Sequence, residues 1–295
     1  MYAMLNVTSG TIFNIILQTG IVCLKRRSKM IISLVVAMSV GNIYHDIAPY
    51  RWVRQNRMKA MEVVLVGNIV IGCLEVGIGQ AFNHGSFVEG CLKGMATGSM
   101  AFVGEMWAVR GGKGAGKFVF DSASSIQENL MTGRDAWSRF RTDVGPVALT
   151  FDKSLIPSAS FGIYSTLGLV FAASKRRFDA KNSLAYLTPV FYYRKDLSST
   201  EHVVATIGGS IGNVVSYRKG FFTADRIITH EMIHVLQFRR FMSCNDVPLP
   251  WVNGKYIAFG RDICTASAFF QSNTNNLHGY FRSPFELEAY TMEKD

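Results

Sequence analysis

TADRIITHEMIHVLQFRRFMSCNDVP, residues 223–248, is the stretch that decides how the second half of the chain folds. Its apolar residues recur with a helical period, and Thr223 can cap the helix that they predict. His230 and His234 are four residues apart, so they lie one turn apart on one face of that helix. Glu231 directly follows the first histidine. The stretch therefore predicts one long helix that carries two imidazoles on one face, with a carboxylate next to the first of them.

These three side chains have the types and the spacing of a zinc-dependent hydrolase. Two histidines spaced by four can bind one zinc ion, and the glutamate then lies beside the metal as a general base. We therefore predict His230 and His234 as zinc ligands, Glu231 as the catalytic residue, and zinc as the cofactor. Arg239 and Arg240 fit the last turn of the helix, where cations are favourable.

A catalytic zinc needs a third protein ligand and an open position. The extended motif HExxHxxGxxH does not supply that ligand, because Gln237 and Arg240 stand at its last two positions. The segment SPFELEAYTMEKD offers two carboxylates on a second predicted helix. Glu286 and Glu288 lie on different faces of it, and the small Ala289 would let the face of Glu286 pack closely. We favour Glu286 as the third ligand and keep Glu288 as the alternative.

HEMIH and the downstream ELEAY together resemble the gluzincin metallopeptidases, over residues 223–295. ELEAY is similar to the E-x-x-A-D or E-x-x-A-N helix of the membrane prenyl-protein peptidases and the minigluzincins. The resemblance implies that Glu286 binds zinc and that the chain hydrolyses peptide bonds. Tyr290 stands where those families have Asp or Asn. The Gly-rich apolar front is loosely similar to uncharacterised bacterial membrane-associated HExxH proteins.

The expected function is a membrane-associated zinc peptidase that acts on a peptide or protein substrate. Tyr280, His278 and Tyr290 are candidate donors to the oxyanion, and a strand within 202–218 offers an edge to an extended peptide. The alternative is a non-catalytic membrane protein whose zinc site is structural or vestigial. The expected location is a membrane, the bacterial inner membrane in particular.

The first half of the chain carries most of the long apolar runs. They cover residues 11–24, 31–50, 61–82 and 86–108. Between residues 25 and 60 there are eight basic residues and one acid, a net +7 within a chain of net +10. Basic clusters beside apolar runs favour membrane lipid as a partner over nucleic acid. We expect at least one span, with 61–82 and 86–108 as the better candidates.

Four further features complete the organisation that the sequence predicts. Gly90, Gly94 and Gly98 recur every four residues and predict a close helix-packing face. The Gly/Lys stretch that begins at Gly111 is one hydroxyl short of a phosphate-binding loop, since Phe118 follows its lysine, so no nucleotide is expected. After that loop, a short helix is expected to begin at Asp121 or Ser122. Strand-like alternation follows over 146–218 in PVALTFD, YLTPVFYY and NVVSY.

The fold class predicted from these elements is α+β. An apolar helical membrane region (1–110) precedes a linker with an amphipathic helix (111–145). Short antiparallel strands, the HExxH helix and a C-terminal Glu-bearing helix follow (146–295). The five cysteines form no CxxC pair and favour separate thiols, although Cys244 and Cys264 could pair in an oxidising compartment.

Overall fold

The computed structural model describes residues 57–153, 156–193, 208–219, 223–246 and 284–292. Predictions for the apolar stretches 11–24 and 31–50 lie outside these residues. The same holds for most of the basic cluster, for His278 and Tyr280, and for the pairing of Cys244 with Cys264. Within the described residues the protein is a mixture of helices and small sheets, so the α+β class is confirmed.

The helices are labelled in chain order. They are α1 (Arg57–Phe82), α2 (Phe87–Trp107), α3 (Lys113–Met131), α4 (Ile163–Lys175), α5 (Ala180–Tyr186), α6 (Ala224–Asp246) and α7 (Pro284–Met292). A π-helical turn, Ala108–Gly112, joins α2 to α3. Its Gly111 has a φ of 125°, a conformation that a residue with a Cβ rarely adopts.

The helices α1 and α2 pack backbone to backbone through glycine. The predicted packing face is confirmed, because Gly90, Gly94 and Gly98 are all buried. A Cβ on Gly94 would collide with the carbonyl oxygen of Gly72, and one on Gly98 with the carbonyl oxygen of Asn68. Such small-residue faces are typical of helices that associate in membranes.

Cys73 of α1 and Cys91 of α2 form a disulfide. The prediction of separate thiols is therefore wrong for this pair. The close packing of α1 and α2 at their glycines explains the error, because Cys73 directly follows Gly72 and Cys91 directly follows Gly90. The spacing of the two cysteines in the sequence matches no cysteine motif.

The helix α3 begins earlier than the sequence predicted. Asp121 and Ser122 do not cap it but lie in its middle, and the Gly/Lys stretch is helical from Lys113 onward. Close packing explains this, since a Cβ on Gly104 of α2 would lie 2.5 Å from the backbone nitrogen of Phe120. Asp121 instead accepts from Lys117 at 2.6 Å inside the fold.

Each of the seven described strands has at least one antiparallel neighbour, within two small sheets. The strands are β1 (Arg139–Val144), β2 (Val147–Asp152), β3 (Pro157–Phe161), β4 (Arg177–Phe178), β5 (Val190–Tyr193), β6 (Gly208–Ile211) and β7 (Val214–Arg218). The first sheet has the order β1-β2-β3 and the second the order β4-β5-β7-β6. Gly145 and Gly212, both with positive φ, open the two-residue turns of hairpins β1–β2 and β6–β7.

Two features of this region differ from the prediction. The pair β5–β7 is parallel, so the expectation of antiparallel strands is wrong there. The helix α4 lies where only strands were expected, and its residues Ser165, Gly168 and Ala172 are buried. Gly168 fits because a Cβ at that position would lie 2.6 Å from the carbonyl oxygen of Ile211 in β6.

The helix α6 is buried between the second sheet on one side and the other helices on the other. Ile228 and Met232 pack with the sheet residues Val215 and Tyr217. On other faces, Ile233 packs with residues of α1 and α7, and Leu236 with residues of α2 and α3. The helix α6 is therefore buried on all of its faces from Ile227 to Arg240. The predicted domain boundaries at residues 110 and 145 stay a prediction. Described helices from both sides of these boundaries pack against α6 in a common core.

One described helix is long and apolar enough to cross a membrane. It is α1, over Met58–Phe82, with a mean hydropathy of 1.9 in its most apolar window. The other candidate from the sequence, 86–108, coincides with α2 but does not meet the same criterion among the described residues. Its glycines and its charged residues Glu89, Lys93 and Glu105 lower its hydropathy.

Candidate metal centre

Two helices bring three metal-binding side chains together. His230 and His234 come from α6 and Glu286 from the first turn of α7. His230 Nε2 lies 3.3 Å from Glu286 Oε2, and His234 Nε2 lies 3.2 Å from Glu286 Oε1. The candidate ligand atoms of all three residues lie within 4.8 Å of one another. The residues that the sequence selected as ligands thus converge on one point.

The spacing of these atoms fits a shared tetrahedral ion. Two ligand atoms about 2.0–2.1 Å from one zinc, at the tetrahedral angle, are about 3.3 Å apart. The two nitrogen–oxygen distances, one to each oxygen of the Glu286 carboxylate, are close to that edge. Glu286 Oε2 is buried, and its contact with His230 lacks hydrogen-bond geometry. Two imidazoles and one carboxylate are also the donor types that zinc prefers.

The two glutamates of α7 have different partners. Glu286 faces the histidines, whereas Glu288 Oε2 accepts a hydrogen bond from Gln237 Nε2 at 2.7 Å. Glu288 Oε1 accepts from Asn68 Nδ2 of α1 at 3.3 Å and lies 3.7 Å from Arg240. Ala289 is fully buried beside Ile233, as the packing argument required. In the contacts that the structure describes, Glu288, the alternative ligand, is linked to His234 through Gln237, and Glu286 is the carboxylate that faces both histidines.

Gln237 fixes the orientation of His234. An ionised carboxylate only accepts hydrogen bonds, so Gln237 must turn its amide nitrogen toward Glu288 and its oxygen toward His234. His234 Nδ1, at 2.8 Å from that oxygen, must then carry the proton. His234 Nε2 then faces Glu286 and offers its lone pair to a metal ion whenever it carries no proton. Gln237 and Glu288 thus select the tautomer that a metal ligand needs.

The charged partners of Glu288 extend to α2. Arg240 forms a buried ion pair with Glu105 and also faces Glu288. Arg239 lies 3.2 Å from Asp143 of β1. The prediction that both arginines lie in the last turn is wrong, since α6 continues to Asp246. Both arginines are buried instead. Their burial could have been predicted from the sequence, because they directly follow a run that is uncharged apart from the HExxH residues.

Glu231 is buried beside the edge strand β6. A Cβ on Gly208 would lie 2.7 Å from Glu231 Oε1 and 2.6 Å from Ile227 Cγ2, so any other residue there would displace one of these side chains. Burial raises the pKa of Glu231, and the neighbouring His234 and His230 oppose that shift. A carboxyl whose pKa is raised in this way is a better proton acceptor than an exposed one.

The electrostatics of the three converging groups favour positive charge between them. Burial would raise the pKa of Glu286, but the nearby His234 and His230 outweigh it and hold that pKa well below its usual range. Burial would lower the pKa of His234, but the carboxylate of Glu286 outweighs it and raises that pKa. Both shifts have one cause, the attraction between the Glu286 carboxylate and the two imidazoles, and a cation placed between these groups would gain from the same attraction.

Tyr290 packs its ring on His230. The ring centroids are 4.7 Å apart and the planes are tilted by 54°. Tyr290 therefore supports the first histidine from the position where the resembling families carry Asp or Asn. Sequence reasoning gave it only as an oxyanion donor, and it missed Asn68, Gln237 and Glu105 as partners of the site. A lone asparagine within an apolar run was the available signal for Asn68.

No protein-family model, curated protein or solved structure matches the chain. The resemblance to gluzincins therefore stays a prediction from the sequence motifs.

Proposed function

We propose that the protein is a membrane-associated, zinc-dependent peptidase. The observation that carries the proposal is the convergence of His230, His234 and Glu286 at the spacing of a tetrahedral site, with Glu231 beside it. Three protein ligands leave the fourth position open, which is the pattern of catalytic zinc, whereas structural sites use four protein ligands.

The chemistry follows from the ion and from the residues around it. When bound, zinc supplies a Lewis acid that polarises a carbonyl and brings the pKa of water to about 7. Glu231 takes the proton of the attacking water and passes it to the leaving amine, a contribution of about 10²–10⁴-fold. Gln237 and Glu288 hold His234 in its binding tautomer, and Tyr290 holds the ring of His230.

The edge strand β6 supports a peptide as the substrate. In the described part of the second sheet, β6 is the outermost strand and pairs on one side with β7. Its Gly208 lies against Glu231. An extended peptide that adds to the outer edge would pass beside the catalytic carboxylate, and main-chain hydrogen bonds would hold it there.

The apolar pair α1–α2 supports the membrane location. The length and composition of α1 suit a span, and α2 buries its small residues while it exposes Val88, Leu92 and Val103. Helices in membranes pack through small residues and turn large apolar side chains to lipid. The site lies against this pair through Asn68.

The experiment measures zinc content and peptide hydrolysis of the purified full chain. Wild type is expected to hold about one zinc per chain, and His230→Ala and His234→Ala to lose it. Glu231→Gln should keep zinc and lose at least about 10²-fold in hydrolysis. Equal zinc in wild type and both histidine variants would refute the metal site. Zinc without hydrolysis in wild type would leave the non-catalytic alternative.

A further inference from the structure

The helix α4 buries small side chains and exposes three large apolar ones. Ser165, Gly168 and Ala172 face the second sheet and are buried. Leu167, Val170 and Phe171 are 61%, 62% and 43% exposed. The exposed residues share one face, since they are spaced by three and four. A helix on the surface of a water-soluble domain has the opposite pattern, with its large apolar residues inside.

The same arrangement occurs in α2, where glycines are buried and Val88, Leu92 and Val103 are exposed. Thus two separate helices of this chain present large apolar faces. In the described residues, Phe161 before α4 and Phe178 after it are also more than half exposed.

The charges next to this face are basic. Lys175, Arg176 and Arg177 follow one another at the end of α4, and Asp179 is the one acid between residues 161 and 190. Lys175 Nζ lies 5.6 Å from the ring centroid of Phe171, so a cation borders the apolar face. Asp179 itself accepts from Tyr217 at 2.8 Å and is directed to the sheet. This combination complements an anionic lipid surface.

We infer that α4 is a second membrane contact, which lies in the headgroup region of an anionic leaflet. Its thirteen residues measure about 20 Å, too short for the ~30 Å hydrocarbon core. The helix therefore lies in the plane of the interface, with Leu167, Val170 and Phe171 in the acyl boundary and Lys175 and Arg177 at the phosphates. The surface is separate from the metal site and does not depend on the proposed reaction.

A site-specific photo-crosslinking experiment tests the contact in the full chain. The protein carries p-benzoylphenylalanine in place of Val170, at the centre of the exposed face, and is reconstituted in phosphatidylcholine vesicles with or without phosphatidylglycerol. Val103→p-benzoylphenylalanine on α2 is the apolar comparison. Lys153→p-benzoylphenylalanine is the water-facing control, because Lys153 forms an exposed ion pair with Asp135.

Lipid adducts are expected at Val170, more with phosphatidylglycerol than without it, and not at Lys153. Each basic side chain near an anionic surface contributes about a five-fold preference, so Lys175→Gln with Arg177→Gln should remove most of the phosphatidylglycerol dependence. Adducts no more abundant at Val170 than at Lys153 would overturn the inference. Adducts between two chains, or with residues 1–56 of the same chain, would also overturn it and identify the true occupant. The His230→Ala variant should give the same adducts, which separates this result from the fate of the zinc proposal.

Discussion

Replacement of Glu286 and of Glu288 by alanine should separate a zinc ligand from a residue that orients one. Both carboxylates are buried, two positions apart on the same helix. Glu286 faces the nitrogens of both histidines, whereas Glu288 reaches His234 only through Gln237. Alanine at either position removes the same chemical group from the same helix, so a difference in zinc affinity reports on position.

The size of the effect follows from these contacts. Loss of a partner that orients a metal-bound histidine typically costs 10–100-fold in metal affinity, about 1.4–2.7 kcal/mol. Glu288→Ala belongs at the upper end of that range, because Glu288 is also the acceptor for Asn68 and faces Arg240. Glu286→Ala removes a ligand itself and should cost more than about 100-fold. Glu288→Gln keeps an oxygen acceptor for Gln237 and should lose less than Glu288→Ala.

The assay is a competition titration of the purified full chain with a chromophoric zinc chelator. Glu89→Ala is the matched control, since Glu89 is an exposed carboxylate away from the site. Circular dichroism of each zinc-free variant shows whether it folds. Gln237→Ala combined with Glu288→Ala should cost less than the sum of the single changes, because both act through one hydrogen bond. Release of zinc by Glu288→Ala together with retention by Glu286→Ala would refute the assignment.

Four further outcomes are expected. Gly94→Ala should lower the melting temperature in detergent, at a cost of about 1–3 kcal/mol from overpacking, whereas Gly209→Ala should change little because open space surrounds Gly209. Gly208→Ala should displace Glu231 and reduce hydrolysis while zinc content stays near wild type, and unchanged hydrolysis would contradict the placement of β6. The pKa of His234 is raised in the folded, metal-free protein, so its stabilising effect is complete below about pH 6.5 and declines as pH rises through the raised value. Zinc binds only the deprotonated ring, so zinc affinity should rise over the same pH window. With rising pH, the stability of the zinc-free protein should therefore fall while the stabilisation by zinc grows. Melting curves of wild type and His234→Ala, with and without zinc, test these two trends. The full chain should stay with membranes through high-salt and carbonate washes, and its recovery in the salt supernatant would remove the span.

The sequence was informative where a residue's role depends on near neighbours. The spacing of His230 and His234 and the small Ala289 beside Glu286 were sufficient to select the three groups that the structure brings together. The glycine face of α2 and the strands around Val147, Val190 and Val214 were read correctly from local periodicity.

The sequence was less informative where a role depends on distant contacts. Asn68 and Glu288 are 220 positions apart, so no local pattern joins them. The helix α3 starts at Lys113 because glycines there allow close packing on α2, which outweighs the poor helix propensity of glycine. The helix α4 was missed because its large residues face outward, and its apolar pattern therefore matched neither a soluble helix nor a strand.

The link between Asn68 and Glu288 has a consequence for the order of events during synthesis. The helix α1 leaves the ribosome early and α7 late, since more than 200 residues separate the two partners. Until α7 docks, His234 has no fixed tautomer and the histidine pair lacks its carboxylate. While α1 and α2 are reaching their final position, a nascent chain therefore has not yet brought His230, His234 and Glu286 together. Under the proposed function, metal loading would follow the docking of α7, and the proposed catalytic centre would assemble only after the helices that carry it have packed.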